Sequence, residues 1–136
     1  NNNPGNIRRG CNWQGLAKTQ TDKEFCQFVT MTWGVRALLI TLRTYVKKYK
    51  LHTIPEIIQR WAPPEDNNAT NRYIAYVEAE LGMFDQPISF SLKDYDFQEK
   101  YQHDECILYT IAKAMCFIES RYNLDYQTYL NAFHLM

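Results

Sequence analysis

Glu119 sits where its side chain could do acid–base chemistry. It closes the run Ala114-Met115-Cys116-Phe117-Ile118-Glu119, and Ser120-Arg121-Tyr122-Asn123 follows at once. With Asp104 as N-cap and Glu105 in the first turn, a helix is predicted over 104–120. Ile107, Ile111, Ala114, Met115 and Ile118 then share one stripe. At roughly 100° per residue, Glu119 falls at the edge of that stripe, beside Leu108 and Met115. A carboxyl lodged against apolar side chains loses hydration, which disfavours its charged form and raises its pKa. A general acid needs that shift to hold its proton near neutral pH. The same spacing also describes a glutamate that borders a core helix and faces water.

The elements that must position Glu119 are mostly helical. The chain has 136 residues, long enough for one domain with a real core, and 46% of them are apolar. Its formal net charge is +0, so no overall basic field recruits nucleic acid. Residues 1–15 are rich in Asn, Gly and Pro and read as ordered turns. Phe25-Cys26-Gln27-Phe28 suits a short extended piece. A helix over 32–50 carries Leu38, Leu42, Tyr45 and Tyr49 on one face and Arg36, Arg43, Lys47 and Lys50 on another. Thr53 with Glu56 has capping-box spacing and starts a helix that runs to Trp61, where Pro63-Pro64 stops it. Thr70 caps a helix with Ile74, Val77 and Leu81 on one face, ended by Gly82. Ile88, Phe90 and Leu92 alternate like a strand, and Tyr126 opens a short terminal helix. These elements make a mainly α domain with at most a very small β element.

The four cysteines, Cys11, Cys26, Cys106 and Cys116, include no Cys-x-x-Cys pair, which argues against a zinc ribbon. Cys106 and Cys116 are ten residues apart on one predicted helix, about 15 Å, too far to bridge. Cys116 and Cys26 read as buried free thiols, while the even count permits two disulfides in an oxidising compartment. His52, His103 and His134 lack ligand spacing, and neither a metal nor a cofactor is expected. No signal peptide is visible, and no apolar run is long enough to cross a bilayer.

Three resemblances bear on function. Ile118-Glu119-Ser120 at a helix end resembles the Glu-Ser motif of lytic transglycosylases and lysozyme-like enzymes, in which the Glu is the catalytic acid. Asn3-Pro4-Gly5-Asn6-Ile7-Arg8, Trp13-Gln14-Gly15, Phe25-Cys26-Gln27-Phe28, Gly34-Val35-Arg36-Ala37 and Arg60-Trp61-Ala62-Pro63-Pro64-Glu65-Asp66-Asn67 resemble a family of phage virion proteins. That motif order spans residues 3 to about 77. The family's usual label, "structural protein", implies a location and no reaction. The N-terminal pattern is also similar to bacterial glucosaminidase domains, whose catalytic Glu lies upstream of the turn on a helix ending Glu-Ser-Gly. Here Glu119-Ser120 lies downstream, as in a circularly permuted lysozyme-like domain over 1–136, and Arg121 stands where that pattern has glycine. Such a permutation places Asn6 beside Glu119.

The resemblances imply a peptidoglycan-cleaving glycosidase or lytic transglycosylase, with Glu119 as general acid and Glu65 as a second carboxylate. Substrate contacts would come from Asn6, Arg8, Trp13, Asn67, Tyr73 and Ser120. Each has a plainer reading. Asn6 satisfies turn geometry, Trp13 buries against the first helix, Glu65 is a solvated loop residue, and Tyr73 sits at a core edge. The alternative function is a virion structural or interaction protein without turnover. The implied partners are peptidoglycan glycan strands and other virion or secretion-system proteins. Nucleic acid and membrane insertion are not expected. The implied location is the virion, or the bacterial periplasm and cell wall. The Arg36–Lys50 stripe suits an acidic stem peptide, a phosphate or a capsid partner, or is simply a solvated face.

Overall fold

The computed structural model describes residues 1–64, 69–82, 91–97 and 105–136, the last without the side chains of 105 and 106. The fold is mainly α, as the periodicity predicts. Its helices are α1 (Met31–Lys47), α2 (Ile54–Trp61), α3 (Thr70–Gly82), α4 (Glu105–Ser120) and α5 (Tyr126–His134). Among the described residues, the β structure is two isolated antiparallel bridges, Arg8 with Phe25 and Leu16 with Phe28. The chain divides into two units, residues 1–41 with 115–136, and residues 42–114. The division falls within α1 and within α4.

In the first unit the N-terminal segment is folded by its own polar side chains. Asn6 N–H donates to Asn3 C=O at 3.1 Å and closes the Asn-Pro-Gly-Asn turn. Cys26 N–H donates to Ile7 C=O and Arg9 N–H to Glu24 C=O, both at 2.9 Å, so Phe25–Phe28 is extended as expected. Asp22 turns the chain between these segments. Its carboxylate accepts from the amides of Glu24 and Phe25 and from Asn1, which holds its pKa below the usual value. Gly15 has φ +82, and any side chain there would strike Trp33, so glycine is required on two counts. The apolar floor of the unit is Val35, Leu38 and Leu39 from α1, Met115 and Cys116 from α4, and Tyr129 from α5, all fully buried.

The second unit builds its core from Leu42, Val46, Ile57, Ile58, Val77, Leu108 and Ile111. The capping box forms as the spacing predicts: Thr53 accepts from Glu56 N–H while the Glu56 carboxylate reaches back to Thr53 N–H. That work holds the Glu56 pKa below normal through the Thr53 hydroxyl, then the Thr53 and His52 amides. Thr70 Oγ1 donates to Ala62 C=O at 2.6 Å, tying the start of α3 to the end of α2. Leu92 N–H donates to His52 C=O, and Leu92, Tyr95 and Phe97 are buried. The expected alternation at Ile88 and Phe90, and the Asp104 cap, lie outside the described residues.

Thr70, expected as a cap, is instead the first residue of α3, with its hydroxyl turned to Ala62, and the end of α1 also differs from the expectation. The helix predicted over 32–50 ends at Lys47: Tyr49 N–H reaches back five residues to Thr44 C=O at 3.2 Å, and Lys50 then turns the chain with a left-handed φ of 58. Periodicity carries no record of that backbone choice.

Candidate functional site at the end of helix four

Glu119 lies in the last turn of α4, half-buried, in the first unit. The last four carbonyls of a helix have no partner within it. Here side chains from the N-terminal turn supply partners. Asn6 Nδ2 donates to the Glu119 backbone carbonyl at 2.8 Å. Ser120 Oγ lies 2.8 Å from Pro4 C=O and 3.2 Å from Cys116 C=O, and shares its one proton between them. The adjacency of Asn6 and Glu119 therefore exists, but it runs through the backbone oxygen of Glu119.

The helix end is closed by Arg121. Its φ of 57 is left-handed, and its N–H donates to Phe117 C=O at 2.9 Å. This is the helix-ending bond in which the first residue past the cap reaches back a full turn. Arg121 thus takes the conformation that a glycine would take at that position. Its guanidinium lies 5.1 Å from the Phe117 ring centroid. A side chain in this conformation costs roughly 1–2 kcal/mol. We therefore expect Arg121→Gly to leave stability unchanged or raise it by up to about 1 kcal/mol, with the Phe117 contact setting the lower end. A clear fall in the denaturant midpoint would mean that the guanidinium–ring contact dominates.

Of the other implied site residues, Arg8 and Trp13 belong to the first unit and Tyr73 to the second. Arg8 is exposed; it pairs with Glu24 at 3.6 Å and its guanidinium lies 5.1 Å from the Phe25 ring centroid. Trp13 is half-buried, and its indole N–H is buried with no hydrogen-bond partner among the described residues. Tyr73 is buried on α3 in the second unit. Glu65 and Asn67 lie outside the described residues.

Cys116, one turn before Ser120, is buried as expected, and so is Cys26; both are free thiols. Burial pushes the Cys116 thiol up to about 12, with the Glu119 charge adding to the shift. A thiol held protonated is a poor nucleophile, and Cys116 packs as a core group.

Two features were not evident from the spacing. Asn3 is a buried hub: its Nδ2 donates to Ile7 C=O and to Cys26 C=O, and its Oδ1 accepts from Ile7 N–H, each at 2.9 Å. A polar residue inside an Asn-rich run carries no mark of burial. The basic stripe on α1 is also divided. Arg36 in the first unit donates from Nε to Leu135 C=O at 3.0 Å and stacks on Trp33, whereas Arg43, Lys47 and Lys50 belong to the second unit.

The similarity this chain carries is to a phage protein. Over 87 residues it is 42% identical to Protein P5 of Pseudoalteromonas phage PM2, covering 61% of this chain and 54% of that protein. The chain thus spans about half the length of this relative. No family model matches the chain. No helix among the described residues is long and apolar enough to cross a membrane.

Proposed function

We propose that this chain is a virion structural or interaction protein of a phage or prophage. The carrying observation is its 42% identity to Protein P5 of phage PM2. The geometry supports the same reading. The motif residues Asn3, Asn6 and Ser120 satisfy backbone groups, with Asn6 donating to the Glu119 carbonyl. Groups used in this way maintain a fold. The test is density-gradient purification of the encoding phage, followed by mass spectrometry of the particles. The chain is expected to band with virions at a stoichiometric level. Its absence from particles, with abundance in infected cells, would reject the proposal.

A second reading is cleavage of peptidoglycan glycan strands with Glu119 as general acid. The observation in its favour is the 2.8 Å contact between Asn6 and the helix turn that carries Glu119, the juxtaposition a permuted lysozyme-like domain requires. Glu65, Tyr73, Asn6 and Arg8 are the partners such a site would draw on. Glu119→Gln keeps the shape and removes the transferable proton. If this reading holds, muropeptide release from purified peptidoglycan falls by about 100-fold or more in that variant while its melting temperature is kept. Equal release by both proteins, or none by the wild type, leaves the structural reading in place.

A further inference from the structure

The second unit gathers positive charge at the ends of α1 and α2. Arg43, Lys47, Lys48, Lys50 and Arg60 fall between residues 43 and 60, and Glu56 is the one acidic residue in that interval. Its carboxylate is occupied by the Thr53 cap and the His52 amide.

The end of α1 and the end of α2 meet at this cluster. The Arg60 guanidinium carbon lies 3.9 Å from the Tyr49 ring centroid and 5.5 Å from that of Tyr45. Lys48 Nζ lies 5.4 Å from the Tyr49 ring, and Lys47 Nζ 5.8 Å from that of Phe97. Lys47, Lys48, Lys50 and Arg60 are exposed, and Tyr49 is 41% exposed. Cations at helix C-termini complement the dipole, which accounts for one at each helix end. Dipole compensation does not require two rings beneath a guanidinium. Those rings, with a hydrogen bond that Arg60 donates to the Tyr45 hydroxyl, hold the Arg60 plane in place, so its remaining N–H groups meet a carboxylate with much of the side-chain entropy already lost.

We propose that Arg60, clamped on Tyr49 and Tyr45 and flanked by Lys47 and Lys48, is a docking point for a carboxylate-rich segment of another virion protein. It rests on the virion reading above for the source of the partner. A guanidinium fork pairs with a carboxylate through two parallel hydrogen bonds, and the neighbouring lysines fit a run of acidic side chains. Single-stranded nucleic acid fits less well, because Arg60 and Lys48 already lie against the Tyr49 ring on which a base would stack. The chain's zero net charge also supplies no long-range attraction for a polyphosphate. A lipid surface needs an apolar face to insert, and the one large exposed apolar residue of this cluster is Tyr49.

Fluorescence anisotropy of a labelled glutamate decapeptide, titrated with the full chain at low salt, tests the proposal. The peptide is expected to bind, and binding is expected to weaken as salt is raised. Arg60→Lys keeps the charge and loses the fork, so affinity falls about tenfold. Lys48→Gln, an exposed change, weakens binding by a smaller factor and guards against a folding defect in Arg60→Lys. No peptide binding by the wild type overturns the proposal. So does equal binding by Arg60→Lys, or tighter binding of a deoxythymidine oligonucleotide or a phosphatidylglycerol vesicle. Sedimentation equilibrium covers the remaining occupant: self-association of the wild type that Arg60→Lys abolishes would assign the surface to a second copy instead. Banding of the chain with virions is measured separately, so failure here leaves the proposed location intact.

Discussion

Gly34→Ala is expected to destabilise the protein by about 2 kcal/mol, although alanine is the better helix former. Gly34 lies inside α1, where the exchange alone would gain roughly 1 kcal/mol. A methyl group there would run into the Asn2 carbonyl oxygen, with the Asn2 carbonyl carbon at 3.0 Å and Pro4 Cδ at 3.1 Å. These atoms belong to a backbone and a ring, which cannot swing aside as a flexible side chain does. Overpacking of this kind costs roughly 1–3 kcal/mol, and the strand-like contacts of the loop add to it. Displacing Asn2 also strains its 3.2 Å bond to Phe28 C=O and the 2.8 Å bond from Phe28 N–H to Asn1 C=O. Denaturant unfolding gives the free-energy change, and amide exchange at Phe28 reports the loop directly. A rise in stability would show that the loop yields more cheaply than the helix gains.

Asn3→Ala should cost more, about 3 kcal/mol. Asn3 is 6% exposed, and the truncation removes three hydrogen bonds at once. Ile7 C=O keeps its bond from Cys26 N–H. Ile7 N–H and Cys26 C=O lose the partner they have here, and each buried orphan costs roughly 1–3 kcal/mol. Asn3→Asp separates hydrogen bonding from shape. It keeps the acceptor for Ile7 N–H but sets a charged oxygen against two carbonyls, so the folded state favours the protonated acid. The aspartate pKa is then raised on folding, so the variant regains stability as pH falls through that raised value, and the gain is complete at the ordinary carboxylate range. Thermal melts of wild type, Asn3→Ala and Asn3→Asp at neutral and acid pH check both the size and the sign. Melting temperatures that match across the three would remove Asn3 from the account of the N-terminal turn.

Both residues belong to the motifs that resemble phage virion proteins. Asn3 opens the Asn-Pro-Gly-Asn turn, and Gly34 opens Gly-Val-Arg-Ala. Their places in the structure give those motifs a mechanical reason: one holds the turn to the Phe25–Phe28 segment, and the other leaves room for the turn to lie on α1. The Glu-Ser pair at the end of α4 joins the same construction through Ser120 Oγ and the Glu119 carbonyl.

Local chemistry in the sequence was enough to place most of the helices. The Thr53–Glu56 box, the Pro63-Pro64 stop and the apolar stripes of α3 and α4 act within one or two turns, so their outcome does not wait on distant contacts. The burial of Cys26 and Cys116 likewise followed from their apolar settings. What only the tertiary structure decided was which atoms of those elements meet. Lys50 and Arg121 take left-handed backbone that their side chains disfavour, and the surrounding contacts select it. Arg36 leaves its sequence stripe for Trp33 and Leu135, while Arg60, far along the chain from Tyr45, settles on the tyrosines of α1. Glu119 was legible as a carboxyl at the edge of an apolar stripe, whereas the bond from Asn6 to its backbone carbonyl was not. Periodicity specifies the face on which a side chain lies, whereas hydrogen bonds form between atoms brought together across 113 residues of chain, and that pairing depends on the packed whole.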